Sequence, residues 1–158
     1  MTASKFDEID IQILRELQDD GRMTNVDLAQ RVGLTAPPCL RRVRALEENG
    51  VIRGYHADLS PDDLGWSITV FAMVSLKSQA EGDLNAFERH VATIPEVREC
   101  HMLNGEIDFI VKIVATDLQA FQRFLTSELT TAPNVESVKS SLTIRTSKDV
   151  PGVPITES

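Results

Sequence analysis

The apolar residues change their spacing part-way along the chain, and a chain that does this must build two structures of different kinds. Through the first fifty residues they recur three and four apart, as Ile9, Ile13, Leu14 and Leu17, then Val26, Leu28 and Val32, then Cys39, Leu40, Val43 and Leu46. That is the spacing of one helix face. From Ile68 onward the interval falls to two, with Ile68, Val70, Ala72, Val74 and Leu76 alternating as a strand does. Between the two regimes lie Ser60, Pro61, Asp62, Asp63 and Gly65, a cluster of helix and strand breakers. The reading is an α+β protein in four parts: a helical domain over 1–59, a linker over 60–66, a sheet-containing domain over 67–146 and a loose Pro-containing tail over 147–158.

Punctuation in the first part is specific. A helix over 7–20 is followed by Gly21; Thr24 stands where an N-cap belongs, with Asp27 in the capping-box position; Gly33 ends that short helix. Thr35 then caps a third helix that carries Pro37 and Pro38 in its first turn, where a missing amide proton costs little, and Gly50 closes it. A short helix, a glycine turn and a longer capped helix make a helix-turn-helix, and Val51 to Leu59 alternates well enough for a strand or wing. On a helical wheel Cys39, Leu40, Val43 and Leu46 face inward, which leaves Pro37, Arg41 and Arg44 outward and Arg42 at the boundary.

In the second part, helices are expected around Leu84 to Ile94 and from Thr116 through Leu129, and strands over 68–76, 97–103, 106–114 and 135–144. The order βαββαβ is that of a ferredoxin-like domain. Asn104-Gly105 predicts a two-residue type I′ hairpin that pairs Leu103 with Glu106, His101 with Asp108, Glu99 with Ile110 and Val97 with Lys112. The apolar set Cys100, Met102, Ile107 and Phe109 then lies under the helices, so Cys100 is core and His101 points away from it. The first strand is apolar on both faces, with Phe71 and Met73 on the open one. A second copy of the chain is the simplest cover for that face.

Charge narrows the possible partners. The chain of 158 residues carries a formal −8. Residues 1–56 are nearly balanced, with eight Lys and Arg against nine Asp and Glu, while residues 57–158 hold eight against fifteen. Arg31, Arg41, Arg42, Arg44 and Arg53, against Glu47 and Glu48, form a basic island in an acidic protein. Double-stranded DNA is the partner this predicts. Arg41 suits a guanine edge, which a guanidinium reads through O6 and N7; Arg42 and Arg44 suit phosphates, helped by Thr35; Ala36 and Pro37 suit thymine methyls. The alternative is a solvated helix face.

Other classes find little support. No apolar stretch approaches the roughly 18 residues of a membrane span, so no membrane association is expected. The acidic N-terminus lacks a signal peptide's apolar core, and two distant cysteines suit a reducing compartment, so the expected location is the cytoplasm. His56 and His90 are isolated, so no metal site is expected, and Cys39 is read as packing. Without a Gly-rich phosphate loop, a nucleophile elbow or clustered catalytic acids, the chain is not expected to be an enzyme or to carry a cofactor.

Taken together the residues resemble the Lrp/AsnC family of bacterial and archaeal transcriptional regulators. In the first half the matching string is Asp7, Asp10, Ile13, Leu14, Leu17, Gly21-Arg22, Leu28-Ala29, Gly33-Leu34, Arg42-Val43, Leu46-Glu47 and Gly50-Val51-Ile52. In the second it is Glu99-Cys100-His101-Met102-Leu103, with Gly105 and Asp108 as the family's Gly-x-x-Asp signature. The resemblance implies a winged helix-turn-helix, a ferredoxin-like (RAM) domain that dimerises, assembly of dimers into octamers or similar rings, and an amino-acid effector bound between dimers. Carried over by position, it puts Leu103, Asn104, Gly105 and Asp108 at the effector site, with Ser140, Ser141 and Thr143 as secondary candidates. Ile107 stands where the family often has an aromatic. For His101 and Asp108 two readings remain open, a cross-strand ion pair or a role in which Asp108 receives the effector's ammonium. An architectural DNA binder that answers to no effector is the alternative function.

Overall fold

The computed structural model describes residues 6–156, which form two compact units, 6–58 with 148–156, and Leu59–Ser147. In the first unit α1 spans Glu8–Asp19, α2 Asn25–Arg31 and α3 Ala36–Glu48. Each start has a local cause. Asp7 caps α1 by accepting the Asp10 amide at 2.8 Å, and Thr24 caps α2 by accepting the Asp27 amide while its hydroxyl donates to the Asp27 carboxylate. Thr35 occupies the cap of α3 in extended backbone, but its hydroxyl makes no capping bond. Gly33 and Gly50 take φ of +71° and +69°, the left-handed turn that lets each preceding helix end.

Ile13, Leu28, Ala29, Val32, Cys39, Val43 and Leu46 close into one core. Leu40, expected inside, is 37% exposed and lies on the outer side of α3. The expected strand over 51–59 does not form. The amides of Val51 and Ile52 turn back onto the Leu46 carbonyl at 2.9 and 3.1 Å, so the donors a ladder would use close the end of α3 instead. Tyr55 follows, donating its hydroxyl to Glu47 Oε1 at 2.8 Å.

In the second unit a short 3₁₀ turn, Asp62–Leu64, occupies part of the expected linker. Then come β1 (Ile68–Leu76), α4 (Glu81–Ala92), β2 (Val97–Met102), β3 (Phe109–Ala115), α5 (Leu118–Phe124), a wider π-turn over Leu125–Leu129, and β4 (Val135–Leu142). The sheet is antiparallel in the order β2-β3-β1-β4, as a ferredoxin-like fold requires. Asp117, not Thr116, caps α5, its carboxylate accepting the Ala120 amide at 2.7 Å. One face of the sheet packs Ala72, Val74, Leu76, Phe109, Val111 and Ile113 against Phe87, Val91, Ile94, Phe124 and Leu129. The Phe87 and Phe109 rings meet at 4.8 Å, tilted by 38°.

The β2–β3 connection departs from the expected hairpin. Leu103 N donates to Asp108 O at 2.8 Å, closing a longer loop, and neither Asn104 nor Gly105 takes the positive φ of a type I′ turn. Cys100 pairs with Val111, His101 with Ile110 and Glu99 with Lys112, a register two residues away from the expected one. Side chains alternate with period two, so a slip of two leaves Glu99, Cys100 and His101 on their expected faces. Val97 is the exception: a bulge before Glu99 pairs it with Ile113 and turns it into the helix-side core instead of the open face, and Met102, expected under the helices, is 59% exposed. The cause is the neighbouring strand. Asp108 N donates to Val74 O at 3.0 Å, and its Oδ2 accepts the Leu76 amide at 2.6 Å and the Gln79 carboxamide at 3.4 Å. The β1–β3 ladder ends at Val74–Phe109, and the Asp108 carboxylate extends it by one side-chain bond.

Candidate DNA and effector sites

The outer side of α3 presents Pro37, Leu40, Arg41 and Arg44 to solvent. Among the described residues no ion pair or hydrogen bond engages the Arg41 and Arg44 guanidinium groups, so both are free to meet an anionic partner. Asn25 of α2 helps to hold this helix, its Nδ2 donating to Ala36 O at 2.8 Å across the turn. Sequence reasoning missed Asn25, although a carboxamide one residue after a cap and eleven before the first turn of α3 was the available signal.

Arg42 does something other than expected. Its Nη1 lies 2.7 Å from Asp7 Oδ2 and 2.8 Å from Asp10 Oδ1, both at the start of α1. The acids sit at the positive end of the α1 dipole and bind the guanidinium on their other side. The Asp10 backbone amide first, and Arg42 second, hold the Asp7 carboxyl below its ordinary value; the two carboxylates in turn raise that of Arg42. Arg42 thus has an intramolecular role that the sequence did not suggest: its Nη1 fastens α3 to α1, while Arg41 and Arg44 are the α3 arginines without an ion pair among the described residues. Thr35, Ala36 and Pro37 sit at the start of the same helix, with the Thr35 hydroxyl uncommitted.

In the second unit Leu103, Asn104 and Gly105 share the exposed loop that ends at Asp108. The remaining candidates diverge. Ser140 pairs with Ala72 on the helix side of the sheet, Ser141 with Phe71 on the open side, and Thr143 N donates to Thr69 O beyond the end of β4. His101 is corrected as well. Its Nε2 lies 3.2 Å from Glu99 Oε2, not against Asp108, and Lys112 Nζ reaches Glu99 Oε1 at 3.0 Å. Lys112 first, then His101, hold the Glu99 carboxyl below its usual range. The pairing puts two rows of side chains across the open face: Glu99, Lys112, Phe71 and Ser141, then His101, Ile110, Met73 and Lys139. Each row mixes charge with apolar surface, and Phe71 is 37% exposed.

Burial pushes the Cys100 thiol up to about 11, with Glu88 adding to the effect, and burial alone raises Cys39, so both remain thiols. Among the described residues no three of His, Cys, Asp and Glu converge as metal ligands, and no helix is long and apolar enough to cross a membrane.

Comparison with known proteins agrees with both halves. Residues 6–53 match the family model described as winged helix-turn-helix DNA-binding, and residues 69–153 match that of the Lrp/AsnC ligand binding domain. A leucine-responsive regulatory protein of Rhizobium meliloti is 54% identical over 96% of this chain and 97% of its own. The Bkd operon transcriptional regulator of Pseudomonas aeruginosa is 43% identical over 90% and 93%. Among solved structures, a transcriptional regulator of Neisseria meningitidis in complex with L-Met superposes with a TM-score of 0.89 at 37% identity, covering 94% of this chain and 96% of that one. The relatives named here are regulators of transcription, not enzymes. With both domains matched in order and relatives spanning nearly its whole length, the chain belongs to the Lrp/AsnC family of DNA-binding transcriptional regulators.

Proposed function

We propose that this regulator reads its operator through Arg41, with Arg44 and Thr35 on phosphates and Ala36 and Pro37 against thymine methyls, and that an amino acid bound at the Leu103–Asp108 loop modulates it. The observation that carries the effector reading is the state of Asp108. Its Oδ2 is occupied by the Leu76 amide, which fixes the carboxylate, while its Oδ1 makes no bond among the described residues and stays available for an ammonium. The L-Met bound to the Neisseria regulator supports an amino acid as the class of effector.

The open face of the sheet packs against a second copy, and dimers close into octamers or similar rings, with the effector loops meeting between dimers. An effector bound there shifts the equilibrium only as far as the competing assemblies bind it unequally. A thermal-shift screen of the twenty amino acids tests the reading, since a ligand at one hundred times its Kd stabilises by about 2.7 kcal/mol. Calorimetry on Asp108→Asn then isolates the ammonium contact, because the carboxamide oxygen still accepts from Leu76. Lost affinity with the fold intact is expected; unaltered affinity removes Asp108 from the site.

A further inference from the structure

The segment over 147–158 was expected to be a loose tail, yet its described residues 148–156 group with the DNA-binding unit. Gln18, near the end of α1, reads the backbone of Val153 in both directions: its Nε2 donates to Val153 O at 2.8 Å, and Val153 N donates to its Oε1 at 3.1 Å. One turn earlier on the helix, Arg15 Nε donates to Ile155 O at 3.2 Å, and Ile155 is half-buried. Gly152 takes φ +79°, and a Cβ on it would run into the Gln18 carboxamide. A left-handed glycine pressed against the side chain that pairs with the next residue is a fitted contact: any Cβ at 152 would be strained at this φ and would have to displace the Gln18 carboxamide.

We infer that residues 150–155 are a strap of the reading head, with Gln18 as its positioning residue, and that the strap gives each head a second covalent attachment to its sensor domain. The chain crosses between the units at 58–59 and returns at 147–148, so β4 of the sensor runs within a few residues into a segment fastened to α1. The start of that helix holds Arg42 of α3 through Asp7 and Asp10. A movement of β4 therefore reaches the reading helix through one rigid helix and two sets of polar bonds, independently of the 59–67 connection. The inference rests on the effector reading proposed above for its use, but not for its existence.

The test compares the full-length protein with Gln18→Ala and with Gly152→Ala, the latter leaving α1 untouched should the former impair folding. Native-state hydrogen exchange follows the Val153 amide, and titration with a DNA fragment carrying the operator gives the affinity with and without L-leucine or L-methionine. In both variants Val153 is expected to exchange at least tenfold faster. Ligand-free DNA affinity is expected to stay within twofold, while the amino-acid-induced change shrinks at least threefold. Unchanged protection of Val153 in both variants overturns the strap, as does a full amino-acid response once protection is lost. If the unmodified protein responds to neither amino acid, the exchange data alone decide the strap, and a screen of the twenty in which none binds is what fails the effector reading.

Discussion

Removing the Asp108 carboxylate separates what it does for the fold from what it does for a ligand. Leu76 is only 2% exposed, and its amide meets Asp108 Oδ2 at 2.6 Å. A hydrogen bond to an ionised acceptor contributes roughly 1.5 to 3 kcal/mol, and a buried donor left without a partner costs about 1 to 3 kcal/mol. Asp108→Ala removes the acceptor and strands the amide, so a loss of about 2 kcal/mol in the sensor domain is expected, while Asp108→Asn keeps a neutral acceptor and should lose less than about half of that. In a domain of this size one kcal/mol shifts Tm by about 4 to 8 °C, which puts the alanine variant roughly 8 to 16 °C below the parent. Differential scanning calorimetry without amino acids measures both. Equal Tm values for parent and Asp108→Ala would show that the carboxylate does not hold the strand, and equal losses in the two variants would show that charge, not the bond to Leu76, matters.

Arg42→Ala should lower thermal stability while leaving the slope of log affinity against log salt unchanged; Arg44→Ala, a phosphate contact, should reduce that slope by about 0.9. A reduced slope for Arg42→Ala would return that residue to the DNA. Arg41→Ala should relax base preference at one operator position by about 1 to 3 kcal/mol, which a selected-site profile indistinguishable from the parent's would refute. Glu99 has a lowered carboxyl in the folded state, so its pair with Lys112 stabilises in full above the unfolded value near 4 and is lost as pH falls through the lower folded value. Urea midpoints of parent and Lys112→Met should therefore differ at neutral pH, by ~1 kcal/mol or less for so exposed a pair, and converge in acid; a gap independent of pH would contradict this.

What could be read from the residues alone follows the range of each interaction. The change of period located both units, β1 spans the same residues 68–76 that the alternation marked, and Thr24 gave the start of the second helix through a contact three residues away. Face assignment survived from Glu99 to His101 and through β3 because it depends on parity alone, and it failed at Val97, where a bulge changes the parity. The errors are long-range. Asn104-Gly105 carries a strong local preference, and the pull of Asp108 toward β1, 32 residues earlier, overrides it. Arg42 looked like its neighbours until partners 35 and 32 positions away claimed it, and Gln18 is 135 residues from Val153. The π-turn at Leu125–Leu129 has no sequence signal that we can name; in it, Glu128 O meets His90 Nε2 at 2.8 Å.

The placement of residues 148–156 within the N-terminal unit also sets an order of birth. A ribosome that has finished α3 must still translate the whole sensor, roughly 90 residues at about 5 to 20 per second, before the piece that seats against Gln18 emerges. For those seconds the nascent head has its three helices and its arginines but not its last segment. Completion of the head thus waits for the sensor, and a change of sequence across 148–156 that spares the three helices and the sheet would leave a regulator whose head stays at that unfinished stage.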